Sequence, residues 1–236
     1  SSDWSSDVCS SDLHQTFGIH QLFSHQETGI RLTYERDLAV ARFCHDNGIP
    51  WREFPCNGVQ RGRRNREGWR EEWYRLMQAP QAEADWSGFR PVDISANWFD
   101  ENKGAPLPTA FRQRPQNMQP GGEAAAHRYL SSFLESRHHQ YQFHISKPAE
   151  SRKSCSRLSP YLAWGNLSVR QVYQAQLEAK RGDGRRRPLN AFASRLRWHC
   201  HFIQKFEMED RMEFESINRG YARLEKTHIP ERVKAW

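Results

Sequence analysis

No run of apolar residues in this 236-residue chain approaches the roughly 20 needed to cross a bilayer, so a membrane-spanning helix is not expected. Cysteine is scarce as well. The five present, at positions 9, 44, 56, 155 and 200, form no Cys-x-x-Cys pair; this argues against a disulfide framework or zinc ribbon and fits a reducing cytoplasm. The first residues carry neither the basic n-region nor the apolar h-region of a signal peptide. Apolar residues make up only 37% of the chain, with a mean hydropathy of -0.93. Aromatics are nonetheless plentiful, and nine Trp with thirteen Phe exclude the disordered class. Lys and Arg number 35 against 28 Asp and Glu, a net charge of +7. So modest an excess is compatible with an anionic partner such as DNA and does not single one out.

Taken in order, the chain changes character several times. Residues 1–12, SSDWSSDVCSSD, repeat Ser-Ser-Asp without an amphipathic period and are expected to lie outside the fold as a non-native or disordered tail. Ile19 to Phe23 reads as a strand, Tyr34 to His45 as a helix stopped by Asn47-Gly48, and Ile49 to Phe54 as a second strand. Strand, helix and strand with short connections imply a parallel sheet, although one such unit is less than a complete doubly wound domain. Five arginines crowd residues 61–70, read as a solvated face or a DNA-contacting surface. Trp69, Trp73 and Leu76 follow as an apolar helical stripe. Residues 79–120 are rich in Pro, Gly, Asn and Asp and read as a connector.

From Gly121 onward the pattern is helical. Ala126, Tyr129, Leu130, Phe133, Leu134 and Arg137 keep a 3,4 spacing. Val169 to Lys180 reads as a helix, Arg181 to Arg187 as a basic loop, and Asn190 to Met208 as a long helix with Phe192, Leu196, His199, Ile203 and Phe206 on one stripe. His199-Cys200-His201 carries ligand-type side chains, but adjacent helical positions point apart, which argues against a metal site.

The most informative stretch is Ser154 to Arg170, SCSRLSPYLAWGNLSVR. Ser156 can cap a short helix with Pro160 in its opening turn, Gly165-Asn166 can end it, and Ser168 with Gln171 forms a capping box for the next. Free N–H groups at a helix start, with Ser156 and Ser159 beside Arg157, suit a phosphate. Caps far outnumber phosphate sites, so local pattern alone favours serines that merely cap.

This run resembles the flavin-phosphate segment of the photolyase/cryptochrome family, which reads Thr-Ser-x-Leu-Ser-Pro-Tyr-Leu, then Gly-x-Leu-Ser and a basic residue. GGEAAAHRYLSSFLESRHHQY, from Gly121, resembles the opening of the same family's helical domain. The resemblance implies an α/β fold followed by all-α: part of a doubly wound parallel-sheet domain over residues 13–78, the connector over 79–120, and the first part of a helical FAD-binding domain over 121–236. It implies FAD as cofactor, with the diphosphate on Ser156, Arg157, Leu158 and Ser159; Cys155 stands where the family has threonine. Tyr141 would be the aromatic beside the flavin, with a core or surface tyrosine as the alternative. On the long helix, Phe192 replaces a flavin-side tryptophan and His199 a flavin-contacting arginine, while Trp198 matches the substrate-facing tryptophan. Arg195 stands where a lesion-contacting acid is expected; an arginine can only donate hydrogen bonds. INRGY and HIPERVKAW, near the end, resemble the approach to the family's second flavin-binding half.

The expected activity of the parent protein is therefore light-driven, FAD-dependent repair of pyrimidine lesions in DNA, a carbon-carbon lyase reaction. Arg185, Arg186 and Arg187 are candidate DNA contacts, and no antenna pigment is assigned. A cytoplasmic monomer is expected. Two alternatives stay open: a blue-light receptor that binds FAD without repair, and a truncated, inactive fragment.

Overall fold

The computed structural model describes residues 6–102, 106, 108–113, 115–182, 186–225 and 227–236. Its elements begin with α1 (Ser6–Phe17), β1 (Leu22–His25), α2 (Arg31–Asp46), β2 (Trp51–Phe54) and α3 (Trp69–Gln78). The short helices α4 (Ala96–Asn102) and α5 (Thr109–Arg112) follow, then α6 (Glu123–Glu135), α7 (Tyr141–His144), α8 (Pro148–Ser154) and α9 (Ser159–Ala163). The last three α-helices are α10 (Val169–Gly182), α11 (Arg186–Met208) and α12 (Pro230–Ala235). The order is α/β followed by all-α. Contacts divide the chain into two compact units, one of residues 1–74 with 197–236 and one of residues 75–196.

The first unit holds the sheet. β1 and β2 pair in parallel, Leu22 opposite Trp51 through His25 opposite Phe54, as strand-helix-strand connectivity requires. Trp51 Nε1 donates to Ser24 Oγ across the pair at 2.9 Å, and the Phe23 and Phe54 rings stack at 6.3 Å. Asn47-Gly48 does stop α2, with Gly48 in the left-handed conformation at φ 66°. Behind the sheet, Cys44, Val59, Trp69, Trp73 and Cys200 are buried. Burial pushes the Cys200 thiol up to about 12, which makes it an inert core group. Fully buried Gln204 acts as a surrogate backbone: its Oε1 accepts from Gln60 N at 2.7 Å and its Nε2 donates to Gln60 O at 3.0 Å.

Two expectations about buried stripes are corrected here, and residues 6–12 of the expected tail are helical. Their helix is anchored downstream of the Ser-Ser-Asp repeat, where the His14 ring packs edge-on to Phe43 at 5.9 Å and Nδ1 accepts from Ile19 N at 3.0 Å. The buried stripe of α3 runs through Trp69, Trp73 and Met77, a strict i, i+4, i+8 row, and leaves Leu76 half-buried. In α11 the buried row continues from Leu196 through Cys200 and Gln204, whereas His199 is exposed and Ile203 and Phe206 are half-buried.

The second unit is helical. Gly122, at φ 91°, makes the turn into α6, a conformation that side-chain-bearing residues rarely adopt. Ala125, Ala126, Leu130 and Phe133 form the buried face of α6. The capping box on α10 is present in both directions: Gln171 N donates to Ser168 Oγ at 3.1 Å, and Ser168 N donates to Gln171 Oε1 at 2.8 Å. The connector begins tied to α10, because Gln174 Nε2 donates to Met77 O and Ala79 O, both at 2.8 Å. It ends tied to the segment before α9, through Gln119. Arg186 and Arg187, expected in a basic loop, instead form the first turn of α11; Arg185 lies outside the described residues.

One side chain of α10 breaks the rule that buried polar groups find partners. Gln176 is fully buried, and among the described residues neither of its amide atoms has a hydrogen bond. An orphaned amide costs about 1–3 kcal/mol, so Gln176→Met, similar in shape and without the polar atoms, should raise stability by that order in denaturant unfolding. An unchanged or lowered midpoint would show that the amide has a partner.

Candidate functional site

Residues 155–167 owe their shape to three buried anchors. Leu158, Tyr161 and Leu167 are 1–2% exposed, and the Tyr161 hydroxyl donates to Pro120 O at 2.7 Å. Between them the backbone must turn sharply. Arg157 takes φ 59°, the left-handed region that costs a non-glycine residue on the order of 1 kcal/mol. Gln119 holds it there at two points: its Nε2 donates to Arg157 O at 3.0 Å, and its Oε1 accepts from Arg157 Nε at 3.1 Å. α9 then runs for five residues until Gly165, at φ 68°, ends it, with Asn166 N donating back to Tyr161 O at 2.9 Å. The expected cap does not form. The residue at the helix start is Leu158, in α-helical conformation and without a side-chain cap, so Ser156 is left one turn upstream.

Arg137 fixes the other side of the segment. Its Nη1 donates to Cys155 O, its Nη2 to Tyr129 O at 2.6 Å and Ser156 O at 3.3 Å, and its Nε to Ser132 Oγ at 3.0 Å. Burial, more than the like charge of Arg157, pulls the pKa of this guanidinium below the usual arginine value. The neighbouring Cys155 is pushed up by burial against the pull of both arginines, so the residue at the expected threonine position is a neutral thiol. With Arg137 committed to the backbone, the polar groups left over are those of Ser156, Arg157 and Ser159. Among the described residues their hydroxyls and the Arg157 terminal nitrogens make no hydrogen bond. Two hydroxyl donors and a planar cation with open N–H groups fit a phosphorylated ligand such as a diphosphate. Leu158, being buried, could offer such a ligand its backbone only.

The remaining candidates fall in both units. Tyr141 and Phe192 meet in the helical unit, ring centroids 5.7 Å apart and nearly perpendicular, and each packs on Phe133 at 5.6 and 4.6 Å respectively. Both are buried, so as described here they are members of an aromatic core. Burial pushes the Tyr141 hydroxyl up to about 12, with a smaller push from Cys155 and a counter-pull from Arg195, which puts these groups in one neighbourhood. The Arg195 side chain is itself exposed, as are Arg186 and Arg187. Trp198 and His199 belong to the sheet-bearing unit. The Trp198 ring is 46% exposed and lies edge-on to Phe202 at 5.8 Å. His199 keeps an exposed edge while the packing around its ring lowers its pKa.

Sequence reasoning did not assign Arg137 or Gln119 to the site. Arg137 left a signal, a cation at the end of the otherwise apolar 3,4 stripe of α6. Gln119 left none, since nothing in a proline- and glycine-rich connector marks one polar residue as a clamp. Beside Gln119 and Arg157 opens a cavity of about 690 Å³, walled also by Gly121, Tyr161, Trp164 and Asn166.

No family model matches the chain. It is 27% identical over 175 residues to the deoxyribodipyrimidine photo-lyase of Halobacterium salinarum, a match that covers 71% of this chain and 35% of that protein. Its fold superimposes on a bacterial class III photolyase from Agrobacterium tumefaciens with a TM-score of 0.71 at 16% identity, covering 98% of this chain and 50% of that one. The chain thus spans about a third of the length of the first and half of the second.

The buried phenol makes a pH prediction. The folded chain keeps Tyr141 protonated above pH 10, where an unfolded tyrosine releases its proton. Its contribution to stability is therefore complete below about pH 10 and lost as pH rises toward about 12. Tyr141→Phe should flatten this alkaline loss without lowering stability at pH 7, as read from unfolding midpoints across the range. An unaltered alkaline profile would place the phenol in contact with solvent.

Proposed function

The chain is related in sequence and in fold to the photolyase/cryptochrome family, and from that premise we propose that it forms part of an FAD-dependent enzyme for light-driven repair of pyrimidine lesions in DNA. The observation that supports this reading most is the Ser156–Ser159 segment, which leaves the terminal nitrogens of Arg157 and two hydroxyls without a hydrogen bond among the described residues. FAD, when bound, supplies the light-driven electron chemistry. The chain's own residues bind and orient. Arg157, with Ser156, Ser159 and the backbone of Leu158, takes the diphosphate, while Gln119 sets the direction of the arginine and Arg137 holds back the carbonyls that would repel an anion. Tyr141 and Phe192, packed on Phe133, supply an apolar wall that excludes water on the flavin side.

Toward DNA, Trp198 offers an aromatic face for an extruded base. Arg186 and Arg187 place two cations at the positive end of the α11 dipole, with no acidic residue in that turn, an arrangement that an approaching phosphate relieves. The protein would act as a monomer in the cytoplasm; among the described residues no helix is long and apolar enough to cross a membrane.

A blue-light receptor that binds FAD without repair is the second reading, and Arg195 favours it. Where the resemblance expects a carboxylate that can accept or donate, this side chain can only donate.

In the complete gene product, Arg157→Ala with Ser159→Ala should weaken FAD retention. A charge-assisted contact is worth roughly 1.5–3 kcal/mol, so the expected loss is on the order of tenfold to a hundredfold in Kd. Undiminished flavin after purification would remove the segment from the site. Illumination of the flavin-loaded protein with dimer-containing DNA separates the two readings: loss of the lesion supports repair, and an unchanged lesion supports the receptor.

A further inference from the structure

In the helical unit a cavity of about 370 Å³ opens among the 3-10 turn Arg137–Gln140, α7 and α8, and none of Ser156, Arg157 and Ser159 lines it. Its size suits a small metabolite. The walls are polar, with Ser136, Arg137, Gln140, His144, Glu150 and Lys153 among them.

Hydrogen bonds within the protein fix much of this wall. Ser154, which also lines the cavity and is 5% exposed, donates its hydroxyl to Glu150 O at 3.0 Å and lies 3.0 Å from His144 Nδ1. With the serine proton on Glu150 O, Nδ1 is the donor of the His144–Ser154 pair, and Nε2 of the neutral ring is left as an acceptor. Of the five N–H groups of Arg137, four are taken, by Ser132 Oγ, Tyr129 O, Cys155 O and Ser156 O. All four acceptors are neutral. Among the described residues no carboxylate pairs with this half-buried cation, and one N–H of Nη1 is left over. On α8, Glu150 and Lys153 stand three residues apart, a spacing at which opposite charges meet. They form no ion pair among the described residues, although both line the cavity.

The cavity therefore offers two cations with open N–H groups together with two acceptors, a carboxylate and an imidazole nitrogen. A planar carboxylate ligand is recognised through two parallel N–H groups of one arginine, and Arg137 has a single one to give. The oxygens of a phosphate accept from separate donors, which the Arg137 Nη1, the Lys153 ammonium and the Gln140 amide supply. A bare anion would meet Glu150 as a like charge, whereas a ligand with hydroxyl groups gives that carboxylate a donor. We propose that this cavity binds a small hydroxylated phosphate monoester, its dianion held by Arg137 and Lys153 and its hydroxyls by Glu150 and His144. The inference does not rest on the flavin reading, because the cavity uses none of the hydroxyls or the cation assigned to the diphosphate.

The test is isothermal titration calorimetry of the complete gene product with α-glycerophosphate and, separately, with inorganic phosphate; circular dichroism and flavin content check that each variant is folded. The ester should bind about tenfold more tightly than inorganic phosphate, a difference that one or two hydroxyl contacts supply. Lys153→Gln should weaken both by about tenfold or more, the loss of one charge-assisted contact. Glu150→Ala should weaken the ester about fivefold and leave inorganic phosphate as tight or tighter, since it removes a hydroxyl acceptor and a like charge together. Arg152→Gln, the same loss of charge on an exposed neighbour in α8 that does not line the cavity, should leave both affinities as they were. The proposal is overturned if the ester does not bind, if Arg152→Gln weakens it as much as Lys153→Gln, or if Glu150→Ala acts alike on the two ligands. Displacement of the ester by a short oligothymidylate overturns it too, as it would make the cavity part of a nucleic-acid surface. Arg157→Ala separates the two sites: it should reduce flavin retention and leave the affinity for α-glycerophosphate unchanged.

Discussion

The Arg137 guanidinium is the contact on which the candidate site depends. It stands just past the end of α6, opening the 3-10 turn of Arg137–Gln140, and donates to Cys155 O, Ser156 O, Tyr129 O and Ser132 Oγ, so one side chain joins the last turns of a helix to the start of the ligand-type segment. Hydrogen bonds from a charged donor are roughly twice as strong as neutral ones, and these are half-buried, where water competes poorly. Between the 155–156 carbonyls that Arg137 holds and the buried Leu158 and Tyr161, the chain passes through a left-handed residue. That residue is Arg157, and Gln119 secures it. The strained turn is thus a consequence of two side chains that arrive from elsewhere in the sequence.

The same economy of structure appears in the sheet-bearing unit, where Gln204 serves Gln60 as a strand neighbour would. In both units a planar side chain supplies hydrogen bonds that regular secondary structure does not, and a sharply turned loop is held by it. Gln176 shows the contrary case, an amide of the same chemistry that, among the described residues, has no hydrogen-bond partner.

Much of this was legible in the sequence because it rests on local chemistry. The parallel strand pair, the stop at Asn47-Gly48, the capping box at Ser168 and Gln171 and the turn at Gly165 all follow from short patterns whose physics is contained within a few residues. What was not legible depends on distant partners. The Ser-Ser-Asp repeat gave no period, yet residues 6–12 are helical because His14 and Gly18 fix the helix from its far end. Ser156 has the chemistry of a cap, but the helix begins past it, since Leu158 is drawn into the core. Along α11, a stripe through His199 and Ile203 was as regular as one through Cys200 and Gln204; the buried loop around Gln60 selects the second. Tyr141 and Phe192 could be named as candidates from resemblance, while their packing against Phe133 could be known only from the fold.

The central claim is that Ser156 to Ser159, shaped by Arg137 and Gln119, holds the diphosphate of a flavin. An experimental structure of the complete gene product, purified from cells with its bound cofactor, tests it most directly. The account predicts density for FAD with its two phosphates within hydrogen-bond reach of Arg157 and the Ser156 and Ser159 hydroxyls. Flavin bound with its phosphates elsewhere, or a protein that carries no flavin, would contradict it.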